Sequence, residues 1–207
     1  MKINPLNYLA SGDIKLSNFD TLSKKLLSKK EAKAALEKSR RSLAQFQERL
    51  YAHDKHAVLA CFQGMDTSGK DSLIREVFKD FNVRGVVQHS FKVPTELELS
   101  HGYLWRHYIA LPSKGHFGIF NRTHYENVLV TRVHPEYLIA ENLPGIDSPS
   151  DISQEFWDMR FEQINNFFCI LFKSFFNSWR LSITRNFIYL IDTKITLFQT
   201  RALLLPY

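Results

Sequence analysis

Apolar positions along this chain alternate between two rhythms. From Ser28 to Lys55 they recur at Leu36, Leu43, Phe46 and Leu50, one face of a helix. Ser28 with Glu31 reads as a capping box at its start, and no Gly or Pro interrupts the run before Gly64. Residues 57–62 then form a short continuous apolar run, the signature of a buried strand. A glycine-bounded loop follows, and beyond Lys70 the apolar residues Ile74, Val77, Phe78 and Phe81 return to helical spacing. Val83 to His89 predicts a second strand, ended by Pro94, which favours extended backbone before it. Thr95 with Glu98 predicts a helix start, and the pattern through Tyr103, Leu104, Trp105 and Tyr108 extends that helix to about Leu111.

Pro112 to Gly115 marks a turn, and His116 to Phe120 a third strand. Thr123 with Glu126 reads as another helix start, leading through Val128, Leu129 and Val133 to Pro135. Residues 135–149 predict a loop. A helix from Ser150 or Asp151 follows, with Phe156, Met159, Ile164 and Phe167 available for burial. Short apolar strands alternating with amphipathic helices imply an α/β fold, a parallel sheet flanked by helices. Ligands bind beyond the C-terminal ends of such strands. That expectation places Gly64–Lys70, Lys92 and Asn121–Glu126 on one rim.

The loop carries the first chemistry. Strand, Gly64 to Gly69, Lys70 and helix stand in the order of a phosphate cradle. Backbone N–H groups and a helix N-terminus converge there on an anion, and lysine adds a full charge. The spacing is that of the P-loop, or Walker A, motif G-x-x-x-x-G-K, with Asp71 where Ser or Thr is usual and a carboxylate, Asp66, inside the loop.

Composition narrows the partners. The 207 residues are 44% hydrophobic, enough for one core-bearing domain. No apolar run reaches membrane-span length, and the first ten residues lack the core of a signal peptide. Cys61 and Cys169 imply no disulfide framework, so the expected address is the cytoplasm. A net charge of +6 favours an anionic partner. The basic residues Lys24, Lys25, Lys29, Lys30, Lys33, Lys38, Arg40 and Arg41 read as a solvated helix face or as a landing strip for a polyanion. Five histidines, His89, His101, His107, His116 and His124, lack spaced partners and read as structural or solvent-facing.

With these motifs in view, the chain resembles the polyphosphate kinase 2 family of P-loop phosphotransferases. The resemblance rests on residues 64–71, on Gly102-Tyr103-Leu104-Trp105-Arg106, on residues 111–115, on Phe120-Asn121-Arg122-Thr123-His124-Tyr125-Glu126 through Val130, and on Arg160 to Asn165. It implies a P-loop kinase-like core with an N-terminal helical extension and phosphoryl transfer between inorganic polyphosphate and a nucleotide, with Mg²⁺. Asn121 and Glu126 match the branch that takes nucleoside monophosphates as well as diphosphates, so AMP and ADP are the expected acceptors and ADP and ATP the products.

Such transfer is a problem of positioning and charge neutralisation. Gly64, Thr67, Ser68, Gly69, Lys70 and Asp71 would cradle the phosphates. Arg122, with Lys92 and Arg106, would balance charge on the transferring group. Asp66 is the candidate metal carboxylate, and Glu126 would sit near the acceptor. Asp66, Lys70, Arg122 and Glu126 form the expected catalytic set.

The expected divisions are an arm and basic helix over 1–52, a phosphotransferase core over 53–167, and an atypical tail over 168–207. The family would continue with a strand and charged lid helices. Here the tail is rich in phenylalanine, with Asp192 its one acid, so the lid is expected to be incomplete. A frameshift or similar lesion would produce such a tail; a divergent working C-terminus with a strand over 183–191 is the alternative. Competing functions are an ATP-dependent small-molecule kinase and a remnant that binds phosphates without turnover. No base-reading motif supports nucleic acid, and oligomeric state is open.

Overall fold

The computed structural model describes residues 28–64 and 66–175, with side chains described as far as residue 167. The expectations for the N-terminal arm and for a strand over 183–191 lie outside the described residues. So does all of the tail beyond residue 175. The chain divides into two compact units. Among the described residues, one holds 28–88 and 112–121, and the other 89–111 and 122–175.

The first unit is built on a 25-residue helix, α1 (Lys29–His53). Its N-terminus is closed by the expected capping box, in which Ser28 Oγ accepts from Glu31 N and the Glu31 carboxylate accepts from Ser28 N. β1 (Val58–Phe62) follows, buried at every position, as a continuous apolar run demands. Cys61 lies fully buried within it, and burial pushes its thiol pKa up, so it serves as a small apolar residue. After the glycine loop comes α2 (Lys70–Val77), then a 3₁₀ turn over Val83–Gly85, and β2 (Val86–Ser90). β3 (Phe117–Asn121) pairs in parallel with β1, Val58 opposite Phe117 and Phe62 opposite Asn121. The sheet order is β1-β3-β2, so the last of the described strands is central.

Two core clusters of this unit lie on one face of those strands, because Val58, Ala60 and Phe62 alternate onto the same side as their β3 neighbours Phe117 and Ile119. Ala60, Phe62, Ile74 and Ile119 form one cluster; Leu50, Val58 and Phe117 form another with Leu43, Phe46, Phe78 and Phe81 against them. Phe81 and Phe117 meet edge-on, their centroids 4.9 Å apart. The helix expected to reach Phe81 stops at Val77. Phe78 and Phe81 still pack inward, but from a turn. Asn82 explains the exit, because its backbone N–H and C=O bond to the side-chain amide of Gln47, at 3.1 Å each. Gln47 is 1% exposed, a polar residue on the apolar face of α1 that periodicity does not flag. Arg40 adds a second link, its guanidinium 3.5 Å from Glu76 and 3.3 Å from Asp80. Arg40 therefore leaves the basic face, and Arg41 pairs with Glu37.

The second unit is mostly short helices on one long one. These are α3 (Glu96–Leu99), α4 (Trp105–Ile109), α5 (Glu126–Leu129), α6 (Glu136–Ile139) and α7 (Gln154–Phe175). The capping box of Thr95 and Glu98 is present, but the helix it opens lasts one turn. The single helix expected to reach Leu111 is broken at Ser100–Leu104, around Gly102, whose carbonyl accepts from Trp105 N. The start expected at Thr123 and Glu126 is present as a turn in which Glu126 N donates to the Thr123 carbonyl and Thr123 Oγ1 accepts from Tyr125 N, and α5 itself begins at Glu126. The expected loop over 135–149 contains α6, opened by Pro135, whose fixed φ suits a helix start.

α7 buries Trp157, Arg160 and Ile164, while Met159, expected inside, is 48% exposed. Arg160 takes the inward place because Glu141 meets its guanidinium with both carboxylate oxygens. The rings of Tyr103 and Phe156 cover it, with centroids 4.1 and 5.0 Å from Cζ.

Gly118, opposite Leu59, sits where chain segments crowd. A Cβ there would fall 2.8 Å from Pro112 Cδ and 3.1 Å from Leu59 Cδ1. Gly118→Ala is therefore expected to destabilise the protein by about 1–3 kcal/mol, read as a lower urea midpoint at unchanged m-value.

Candidate active site

In the first unit, β1 ends at Phe62 and the chain turns through Gly64–Gly69 into α2. Among the described residues of this turn, Thr67 with φ 65° and Gly69 with φ 85° are left-handed. Gly69 is the N-cap of α2 and gives its first amides no side-chain acceptor. Uncapped first-turn amides beside a lysine are the physical basis of an anion site. Lys70 is 9% exposed, and its ammonium lies 3.4 Å from the Asp66 carboxylate, which is 77% exposed. At that distance and exposure the pair is weak enough for a phosphate to displace.

Asp71, at the position where the ordinary motif has a hydroxyl, accepts a 2.6 Å hydrogen bond from Asn121 Nδ2. Asn121 ends β3 and is 8% exposed. Its Oδ1 is buried without a hydrogen-bond partner among the described residues. The Asn121–Asp71 bond is the site feature that sequence reasoning missed. The departure at Asp71 was visible, but pairing it with a residue 50 positions away needs the strand register.

The second unit gathers the other candidates. Arg106 Nη1 donates to the Lys92 carbonyl at 2.9 Å, its Nε lies 3.1 Å from Glu98 Oε1, and its guanidinium covers the Phe91 ring. Burial lowers the Arg106 pKa, and Glu98 opposes that shift. Lys92 contributes its backbone here; its side chain is exposed. Arg122 Nη1 donates to Glu126 Oε2 at 3.2 Å, so the arginine expected to balance charge is paired with the carboxylate expected near the acceptor. Between these groups lie two buried imidazoles. His107 is 1% and His124 0% exposed, and their rings meet edge-on at 5.7 Å. Burial, reinforced by Arg106, pushes His107 down to about 3. Burial and His107 together push His124 well below its ordinary value. Both are neutral at pH 7, so the structural reading holds for this pair.

Comparison with known proteins follows the same residues. The family described as Polyphosphate kinase 2 matches residues 26–142, from the start of α1 through α6. The chain belongs to the polyphosphate kinase 2 family. Among curated members, it is 44% identical over 124 residues to the ADP-polyphosphate phosphotransferase of Rhodopseudomonas palustris, covering 60% of this chain and 42% of that one. It is 44% identical over 139 residues to the AMP/ADP-polyphosphate phosphotransferase of Meiothermus ruber, covering 67% and 46%. Among solved structures, the polyphosphate kinase 2 of Arthrobacter aurescens TC1 superimposes with a TM-score of 0.70 at 30% identity. That overlap covers 83% of this chain and 58% of the other. The chain thus spans just under half the length of these two curated relatives.

The buried histidines of this polyphosphate kinase 2 chain make its stability depend on pH. Their folded pKa values lie below the unfolded value of 6.5, so the unfolded state takes up protons first as pH falls. Stability is intact above about pH 6.5 and declines below it. For His107 the loss continues down to about pH 3. The unfolding free energy is expected to fall between pH 7 and 5, by up to about 1.4 kcal/mol per pH unit for each histidine, read as a lower urea midpoint. His107→Gln should flatten that slope; an unchanged slope would mean that His107 is protonated within the fold.

Proposed function

We propose that this chain carries the phosphate-holding part of an enzyme that moves a phosphoryl group between inorganic polyphosphate and a nucleoside mono- or diphosphate. The observation that carries this reading is a glycine-bounded turn leading through Gly69 into Lys70 and the uncapped start of α2, inside a family match covering 26–142. Curated relatives named for ADP and for AMP/ADP support AMP and ADP as acceptors. In the forward reaction the P–O bond to the polyphosphate chain breaks, and a bond forms to the terminal phosphate oxygen of the nucleotide. That oxygen is already anionic near neutral pH, so no side chain need remove a proton. The work left to the protein is to hold two anions in line and offset their charge.

In this reading the loop amides, Lys70 and the uncapped start of α2 hold phosphate, and Arg122 balances charge on the transferring group. Arg106 and Lys92 add positive potential, and Glu126 orients Arg122 and faces the acceptor. Magnesium fits the donors at the loop, which are all oxygens: the exposed Asp66 carboxylate, Asp71, and the buried Oδ1 of Asn121. Among the described residues no group of three or more His, Cys, Asp or Glu forms a cage. The ion would then be held largely by water and phosphate oxygens, as magnesium prefers, and would neutralise the phosphate chain. A cytoplasmic address belongs to the same reading.

The test is ATP or ADP formation by purified protein given magnesium, polyphosphate and ADP or AMP. Lys70→Ala is expected to lower the rate by about 10²-fold or more. Activity that requires ATP and ignores polyphosphate would overturn the assignment. Polyphosphate binding with no turnover would identify a remnant. Asp66→Asn is expected to raise the magnesium concentration for half-maximal rate by roughly tenfold, with manganese binding followed by electron paramagnetic resonance as the independent readout.

A further inference from the structure

Arg122 carries an energetic cost. Its φ of 68° is left-handed, a conformation that costs a β-carbon residue roughly 1–2 kcal/mol. Such backbone persists only where its surroundings over-determine it. What holds it is the next three residues, since Thr123 and His124 are 0% exposed and Tyr125 is 4%. The His124 carbonyl accepts from both Asn127 N and Asn127 Nδ2, closing the turn behind the ring. The His124 ring is itself packed on three sides, 4.4 Å from Tyr125, 5.7 Å from His107 and 6.3 Å from Phe167, between centroids.

His107 continues the contact into α4. Its ring lies 4.1 Å from Phe91, and the Phe91 ring lies under the guanidinium of Arg106, 5.2 Å from Cζ. An unbroken packed path therefore runs from Arg106 through Phe91, His107 and His124 to the turn that bears Arg122. Each arginine is also a near neighbour in sequence of one histidine. Arg106 also pairs with Glu98 and Arg122 with Glu126, contacts of the side chains that do not themselves fix the backbone.

We propose that His107 and His124 are positioning residues: their contact holds Arg106 and the strained Arg122 turn in one fixed arrangement, set for a phosphate chain before it binds. This rests on the reading of Arg106 and Arg122 as phosphate-facing groups. Neither histidine touches substrate. Pre-set cations lower the ordering cost of binding, so losing the contact weakens phosphate affinity with every charge still present.

The test uses the full chain with His124→Leu, His107→Leu and both together, titrated with inorganic tripolyphosphate by calorimetry. In parallel, nitrogen-15 NMR follows hydrogen exchange at the arginine Nε–H groups. Each single variant is expected to weaken tripolyphosphate binding roughly tenfold, and the double variant no further, the non-additivity of one shared contact. Exchange at Arg106 and Arg122 should quicken while that of Arg160, held by Glu141 in the same unit, stays as in the parent. His107→Leu removes the same contact from α4 if His124→Leu fails to fold. Additive losses, or unchanged exchange at both arginines, overturn the proposal. A parent chain that ignores tripolyphosphate while its variants still show coupled exchange at Arg106 and Arg122 sinks the phosphate reading and supports the positioning role.

Discussion

The parallel pairing of β1 with β3 is the constraint on which the proposed phosphate site depends. Its register sets Asn121 opposite Phe62, the residue at which β1 gives way to the glycine loop. Only there can the Asn121 amide reach Asp71 at the start of α2 and tie the helix to the central strand. A one-residue slip would turn the side chains of β3 to the other face. The apolar residues of both strands prevent it, because Phe117 and Ile119 each belong to a core cluster that a slip would empty. Burial of uncharged side chains thus fixes the position of charged ones.

Around that register the polar groups divide by what they are bonded to. Gln47, Arg40 and Arg160 are polar residues spent on architecture, each met by partners that no local pattern announces. Lys70 and Asp66 are held only loosely to each other, as suits groups that exchange partners when an anion arrives. His107 and His124 lie deep enough that burial keeps them uncharged, and their rings serve as packing surfaces. A buried neutral imidazole next to an arginine adds no competing charge to the site.

Much of the fold was legible because its signals are local. Ser28 with Glu31 and Thr95 with Glu98 marked two helix starts correctly, since a capping box is made by residues three apart. β1 and β3 were legible within one residue, since a run of buried side chains needs no partner to be recognised. Errors gathered where a distant contact overrode local preference. Asn82 drew the chain out of α2 by bonding Gln47, 35 positions away. Met159 yielded its expected place to Arg160, whose burial becomes tolerable only with Glu141 beside it.

The sequence by itself determined the order of elements, the phosphate loop with its lysine, and the family that the spaced motifs announce. These follow from neighbouring residues, through steric preference, periodicity and short-range hydrogen bonds. Tertiary structure alone decided that Asn121 holds Asp71, that two histidines meet edge-on in a neutral buried contact, and that Arg122 sits in a strained turn. Each of those facts depends on side chains meeting across dozens of residues, or on burial shared among several segments. Such proximity is a property of the packed chain, and no local pattern encodes it.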